Sequence, residues 1–165
     1  MMITLTGFMG SGKTTVGKVL ADALGCPFLD LDDLIVKKAG KSIPEIFAQD
    51  GEPAFRQLEA RLLRQTVEKY AESTVVLALG GGAVTTPASA TLLHEKTVCI
   101  YLRATLETLL QRLSGETAGR PLADDAMSDR LAARESLYEE TAHVIIDTDG
   151  LAPDEVADEI IISSL

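Results

Sequence analysis

Five short runs of β-branched and aliphatic residues, at 3–6, 28–32, 74–79, 97–102 and 143–147, have the length and composition of buried strands. Between them the apolar spacing lengthens to a helical period. Val16, Val19, Leu20, Ala23 and Leu24 recur at i, i+3, i+4, i+7 and i+8, and Gly25 with Pro27 supplies a stop. This gives a strand–loop–helix unit. Further along, Phe55, Leu58, Leu62, Leu63, Val67 and Tyr70 mark one face of a helix, with Gly51 breaking the chain before them. Ser42 and Glu45 have the spacing of a capping box. Thr86 and Pro87 read as an N-cap and first helical residue, and Pro153, Asp154 and Glu155 as the start of a last helix. Strands that alternate with helices predict a mainly parallel sheet covered on both faces. Residues 114–125 show neither period; with Gly115, Gly119, Pro121 and a single basic residue, Arg120, they read as a mobile loop.

Composition narrows the function classes. The 165 residues, 46% hydrophobic, suffice for one compact domain over 1–165. A formal charge of −10 argues against a general nucleic-acid surface or an anionic-membrane patch, so an anionic ligand has to be held by local positive groups. Cys26 and Cys99 lack metal-like spacing and read as reduced structural thiols. No charged leader-like region precedes residue 7, and no apolar run nears the roughly 18 residues of a membrane-spanning helix, so a cytoplasmic protein is expected.

The most specific local signal is Gly7, Gly12, Lys13 and Thr14, which match G-x-x-x-x-G-K-[ST] between a strand and an amphipathic helix. Glycines let the backbone curl around phosphate oxygens, and the N–H groups opening the helix point at the anion. Lys13 adds a movable charge for the β- and γ-phosphates, and Thr14 offers a hydroxyl to Mg²⁺. The pattern indicates ATP with Mg²⁺.

Other positions carry weaker signals. Asp30, Asp32 and Asp33 cluster where the second strand ends, the side of an open α/β sheet on which ligands gather. Strand alternation puts Asp30 and Asp32 on one side, one suited to the water shell of Mg²⁺ and the other to a substrate hydroxyl, while Asp33 is assigned to capping the next helix. Gly80, Gly81 and Gly82 follow the third strand, where they allow close backbone approach to a ligand or serve a tight turn with positive φ. Leu79 stands where a second magnesium-anchoring carboxylate would end that strand, which weakens a mechanical ATPase or GTPase reading. Arg56 and Glu59 are spaced as a surface ion pair, and Arg134, near Glu135 and Glu139, reads locally as a solvated face residue. His94 and His143 have no visible partner.

Several segments together resemble the shikimate kinase family over nearly the whole chain. They are GFMGSGKTT at 7–15, FLDLD at 28–32, SIPEIFAQDGEPAFRQLE at 42–59, LGGGAV at 79–84, GRPL at 119–122 and RESLY at 134–138, in the family order. The resemblance implies the three-layer α/β/α fold of the nucleoside-monophosphate kinases: a five-stranded parallel sheet in order 2-3-1-4-5, a substrate-binding insertion at 33–71 and a closing lid at 114–125. It makes Asp32, Arg56, Gly81 and Arg134 shikimate contacts, with Gly80, Gly82, Phe55 and Glu59 beside them. ATP falls to Gly10, Ser11, Gly12, Lys13, Thr14 and Thr15, with Arg112 stacked on adenine and Arg120 reaching the phosphates from the lid. Asp30 becomes an outer-shell magnesium ligand beside Thr14. Gly150, Leu151 and Ala152 depart from the family, many members of which place a basic residue near the adenine there.

The implied reaction moves the γ-phosphoryl group of ATP to the 3-hydroxyl of shikimate, with Lys13, Asp32 and Arg120 as the catalytic set and the protein acting as a monomer. Two alternatives stay open. A kinase for another hydroxy acid, such as gluconate, would share loop and lid without the set Arg56, Gly81 and Arg134, and a nucleotide-sensing module would need no acceptor site.

Overall fold

The computed structural model describes residues 1–116 and 123–164, with side chains at all of these except 114–116 and 123–125. Strands β1 (Met2–Thr6), β2 (Phe28–Asp30), β3 (Val75–Ala78), β4 (Val98–Arg103) and β5 (Val144–Asp147) form one parallel sheet in the order β2-β3-β1-β4-β5. Side-chain alternation divides its apolar residues between two cores. Ile3, Leu5, Val76, Ile100 and Leu102 face helices α1 (Lys13–Leu24) and α7 (Pro153–Ser164), whose Leu20 and Ile160 are fully buried. Met2, Val75, Leu77, Cys99 and Tyr101 face the other layer, where Leu63, Leu93 and Tyr138 come from α3 (Ile43–Lys69), α4 (Pro87–Lys96) and α6 (Ala123–Thr141). Burial on both faces explains why the strands read as continuous apolar runs. Cys26 and Cys99 are both free thiols. Among the described residues no helix is long and apolar enough to cross a membrane.

Several local expectations are corrected. β2 ends at Asp30, not residue 32, because the Asp30 carboxylate caps α2 (Leu31–Ala39): its Oδ1 accepts from the backbone N–H of Asp32 at 2.9 Å and of Asp33 at 3.4 Å. A carboxylate that can satisfy two orphan helix donors stops the strand there. Asp32 therefore lies in the first turn of α2 instead of beside Asp30 on a strand face, and the cap is Asp30 instead of Asp33. Thr86 stands at the N-cap of α4 but makes no side-chain cap bond. Residues 114–116 close helix α5 (Leu106–Glu116) and 123–125 open α6, so the ends of the expected loop are helical; glycine at a helix end costs at most about 1 kcal/mol. The capping box is formed, Ser42 and Glu45 exchanging bonds of 3.3 Å in each direction. Gly51, at φ 85° and ψ 167°, kinks α3.

His94 and His143 do have partners. Their rings stack with centroids 4.5 Å apart and 9° between planes. His143 Nδ1 accepts the Cys99 N–H at 3.0 Å, and its Nε2 lies 2.9 Å from the His94 carbonyl, tying edge strand β5 to α4.

Candidate active site

The phosphate loop, Asp30, Asp32 and the glycines 80–82 sit where strands β1, β2 and β3 end. The chain leaves β1 through Gly7, turns back at Ser11, whose N–H donates to the Phe8 carbonyl at 3.1 Å, and enters α1 from Gly12 at φ 93°. That left-handed cap is open to glycine without strain. Lys13 Nζ reaches back across the loop to the carbonyls of Gly7 and Phe8, at 2.7 and 3.1 Å. Burial lowers its pKa to about 8, against the pull of Asp32 and then Asp30 toward the charged form. Thr14, exposed at the rim, donates its hydroxyl to Asp30 Oδ2 at 3.0 Å. Asp30 thus splits its two oxygens: Oδ1 caps α2 and Oδ2 faces the phosphate loop.

A cleft of about 430 Å³ runs from Gly10, Ser11, Gly12, Lys13, Thr14 and Thr15 to Arg112, Leu151, Pro153 and Val156. Arg112 is fixed at its far end: Nη1 donates to the Gly10 carbonyl and to Thr148 Oγ1, both at 3.2 Å, and Nη2 to the Thr148 carbonyl at 3.1 Å. At the family departure, Leu151 supplies an apolar wall to this cleft.

A second cleft, of about 250 Å³, gathers Asp32, Phe55, Arg56, Glu59, Gly80, Gly81, Gly82 and Arg134 from α2, α3, the β3 turn and α6, with Met9, Ile43 and Phe47 completing the wall. The last three were not singled out from the sequence, because an apolar residue that lines a site has the same pattern as one that fills a core. Arg56 and Glu59 do pair, at 2.8 Å, but Glu59 is only 1% exposed, so this is a pocket pair and not the surface pair its spacing suggested. Burial raises the Glu59 pKa, the bond from Arg56 opposes it, and the second carboxylate oxygen has no hydrogen-bond partner among the described residues. Arg134 is half-buried, its guanidinium 5.8 Å from the centre of the Phe8 ring. Its local reading as a solvated face residue fails for the same reason. Asp32 is pushed upward in pKa by burial and then by Asp30, with Lys13 opposing.

The three glycines are explained by space. None of Gly80, Gly81 and Gly82 is among the residues of positive φ, so the chain turns here without needing glycine for its backbone angles. A Cβ on Gly80 would stand 2.9 Å from Asp32 Oδ1 and 3.2 Å from Glu59 Oε2, and one on Gly82 would overlap the Arg56 guanidinium. Gly81 lines this cleft and lies against the start of the phosphate loop, since its Cβ would stand 3.5 Å from Arg134 Nη1 and 3.6 Å from Gly7 O and Met9 N. Arg120 lies outside the described residues.

The family model for shikimate kinase matches residues 9–164. The chain is 43% identical over 164 residues to a shikimate kinase of Enterococcus faecalis, covering 96% of this chain and 95% of the other. It is 45% identical to that of Geobacter sulfurreducens, covering 96% and 87%. The chain belongs to the shikimate kinase family. Among solved structures, the shikimate kinase of Acinetobacter baumannii in complex with shikimate superposes with a TM-score of 0.88 at 38% identity, covering 97% of this chain and 90% of that one. The shikimate kinase of Bacteroides thetaiotaomicron gives 0.89 at 29% identity, covering 99% and 98%. The sheet order β2-β3-β1-β4-β5 is the one the family resemblance implied.

Proposed function

We propose that this protein transfers the γ-phosphoryl group of ATP to the 3-hydroxyl of shikimate, giving shikimate 3-phosphate and ADP on the route to chorismate and the aromatic amino acids. The observation that carries the reading is the closeness of Lys13, which lines the larger cleft, to Asp32, which lines the smaller, each acting on the charge of the other. A nucleotide phosphate on the loop and an acceptor in the smaller cleft meet there, as an in-line transfer requires.

Each residue then has a physical task. Loop N–H groups and Lys13 hold the phosphates, and the Lys13 charge offsets what develops on the transferring group. Asp32 accepts from the 3-hydroxyl and orients it; its raised pKa keeps proton acceptance within reach of a carboxylate. Arg56 and Arg134 form a fork for the shikimate carboxylate, and Glu59 holds Arg56 in place through the 2.8 Å bond. Arg112, Leu151 and Pro153 form the bed for adenine. Arg120 and the segment 114–125 supply phosphate contact and water exclusion as a lid.

The residues present fit Mg²⁺: Thr14 Oγ1 and Asp30 Oδ2 are two hard oxygen donors 3.0 Å apart at the phosphate loop. No group of three or more His, Cys, Asp or Glu forms a cage among the described residues, and Mg²⁺ retains waters and phosphate oxygens instead of needing one. When bound there, the ion supplies charge neutralisation at the β- and γ-phosphates.

The net charge of −10 supports a role without nucleic acid or an anionic membrane, and a cytoplasmic monomer completes the reading. Coupled ADP release with shikimate, with gluconate and with no acceptor tests the reading. Turnover with shikimate alone is the expected result. Equal turnover with gluconate, or none with any acceptor, overturns it.

A further inference from the structure

Tyr138 follows Arg134 by four residues on α6, so the two side chains leave one face of the helix a turn apart. The tyrosine is fully buried and its ring lies 4.9 Å from that of Tyr101, as an ordinary core aromatic would. Its hydroxyl does something a core residue need not do: it donates to the carbonyl of Gly81. In the same turn the Gly80 carbonyl accepts from the Ala83 N–H at 3.2 Å, and that of Gly82 from the N–H and hydroxyl of Thr85 at 3.1 and 2.6 Å. The Gly81 carbonyl has Tyr138 alone among the described residues.

Its peptide is trans, so the Gly81 carbonyl and the Gly82 N–H lie in one plane and point in opposite directions. Anchoring the carbonyl on α6 turns the N–H away from α6. That N–H makes no hydrogen bond among the described residues, although Gly82 is buried and lines the smaller cleft. A buried backbone donor without a protein partner is uncommon and is suited to a ligand oxygen.

We infer that Tyr138 is a positioning residue for the acceptor, its hydroxyl fixing the Gly81–Gly82 peptide so that the Gly82 N–H donates to an oxygen of the bound hydroxy acid beside Arg56 and Arg134. The inference rests on the substrate reading given above. The Arg134 charge pulls the phenol pKa down, but burial dominates and raises it to about 12. The hydroxyl is therefore a neutral donor throughout the working pH range, and its contribution is independent of pH there.

Kinetics of Tyr138→Phe test the inference. The variant should raise the KM for shikimate about fivefold to tenfold, the size of one neutral hydrogen bond. The KM for ATP should stay within about twofold, the KM ratio should be constant from about pH 6.5 to 9, and 3-fluorotyrosine at 138 should restore the shikimate KM. Should Tyr138→Phe not fold, the wild-type Gly82 amide decides: its proton resonance must move and its exchange slow on adding shikimate. An unchanged shikimate KM, equal rises in both KM values, or an indifferent Gly82 amide each overturns the inference. Arg134→Lys run in parallel separates the failures. If it raises the shikimate KM while Tyr138→Phe does not, only the role of Tyr138 falls; if neither does, the substrate reading falls as well.

Discussion

The Arg56 guanidinium occupies the space in which a side chain on Gly82 would stand, with Cζ 2.7 Å from the position of such a Cβ. Gly82 has φ −106°, which any residue adopts, so Gly82→Ala carries no backbone strain and acts only by displacing Arg56. Its Tm should stay within a few degrees of the wild type. Its KM for shikimate should rise roughly tenfold or more, since a misplacement of about 1 Å is costly in a positioned site. ATP affinity should not change. A shikimate KM that stays put in the folded variant would show that Arg56 is not a substrate contact.

Replacing either arginine by lysine keeps the charge but loses the two-pronged geometry that matches a carboxylate. Arg56→Lys and Arg134→Lys should each raise the shikimate KM. Arg134→Ala should lower kcat/KM by about 2 to 4 kcal/mol, roughly 30-fold to 1000-fold. Arg56→Ala should cost stability as well, because it leaves the buried Glu59 carboxylate unpaired. Steady-state kinetics with a denaturant titration separate the two effects. Values of kcat/KM within threefold for both alanine variants would return the arginines to a structural role.

Lys13 links nucleotide binding to pH. Burial sets its pKa near 8 in the free protein, and the triphosphate restores its charge, so above pH 8 ATP binding takes up a proton. Affinity for ATP should therefore fall as pH rises through 8, approaching tenfold per pH unit. The stability of the free protein should run the other way over pH 8 to 10.5, where the unfolded chain, with an ordinary lysine, binds more protons than the folded one. Calorimetry in buffers of different ionisation enthalpy measures the uptake. Lys13→Met should abolish it and cost about a thousandfold or more in kcat; a wild-type affinity flat from pH 7 to 9.5 would exclude Lys13 as the linked group.

Asp30 serves two neighbours with two oxygens, and one substitution separates them. Asp30→Asn keeps an oxygen able to cap α2, asparagine being an equally good N-cap, so stability should change by less than about 1 kcal/mol. The loss of negative charge beside Thr14 should nonetheless shift half-saturation by Mg²⁺ at least about tenfold higher, by analogy with other outer-shell changes. A magnesium titration of activity beside a thermal melt reads both, and an unchanged magnesium requirement would remove Asp30 from the metal's surroundings.

The strands, the order of alternating elements and the phosphate loop could be read from the chain alone, because each depends on neighbours in sequence. The run 98–102 is apolar because both sheet faces are covered, and Gly12, Lys13 and Thr14 act through one local turn. Spacing along one helix gave the right partner for Arg56 and the wrong environment. Nothing between residues 52 and 59 records that α3 packs Glu59 against Gly80. For Arg134 the misreading was complete, since its neighbours Glu135 and Glu139 are local whereas Phe8 and Gly81 come from other strand ends. Only the family resemblance placed both arginines in a site.

What the sequence determined by itself was the set of elements, the parallel sheet and the phosphate loop, all products of local pattern. The tertiary structure decided why residues 80–82 are glycine, that Asp32 turns toward the acceptor cleft, and that Tyr138 grips the Gly81 carbonyl. Each of these depends on a contact between groups from different elements, and the physical reason is the same in every case. Excluded volume and hydrogen-bond geometry act through space, and the distances they depend on are set only when the helices have closed over the ends of the strands.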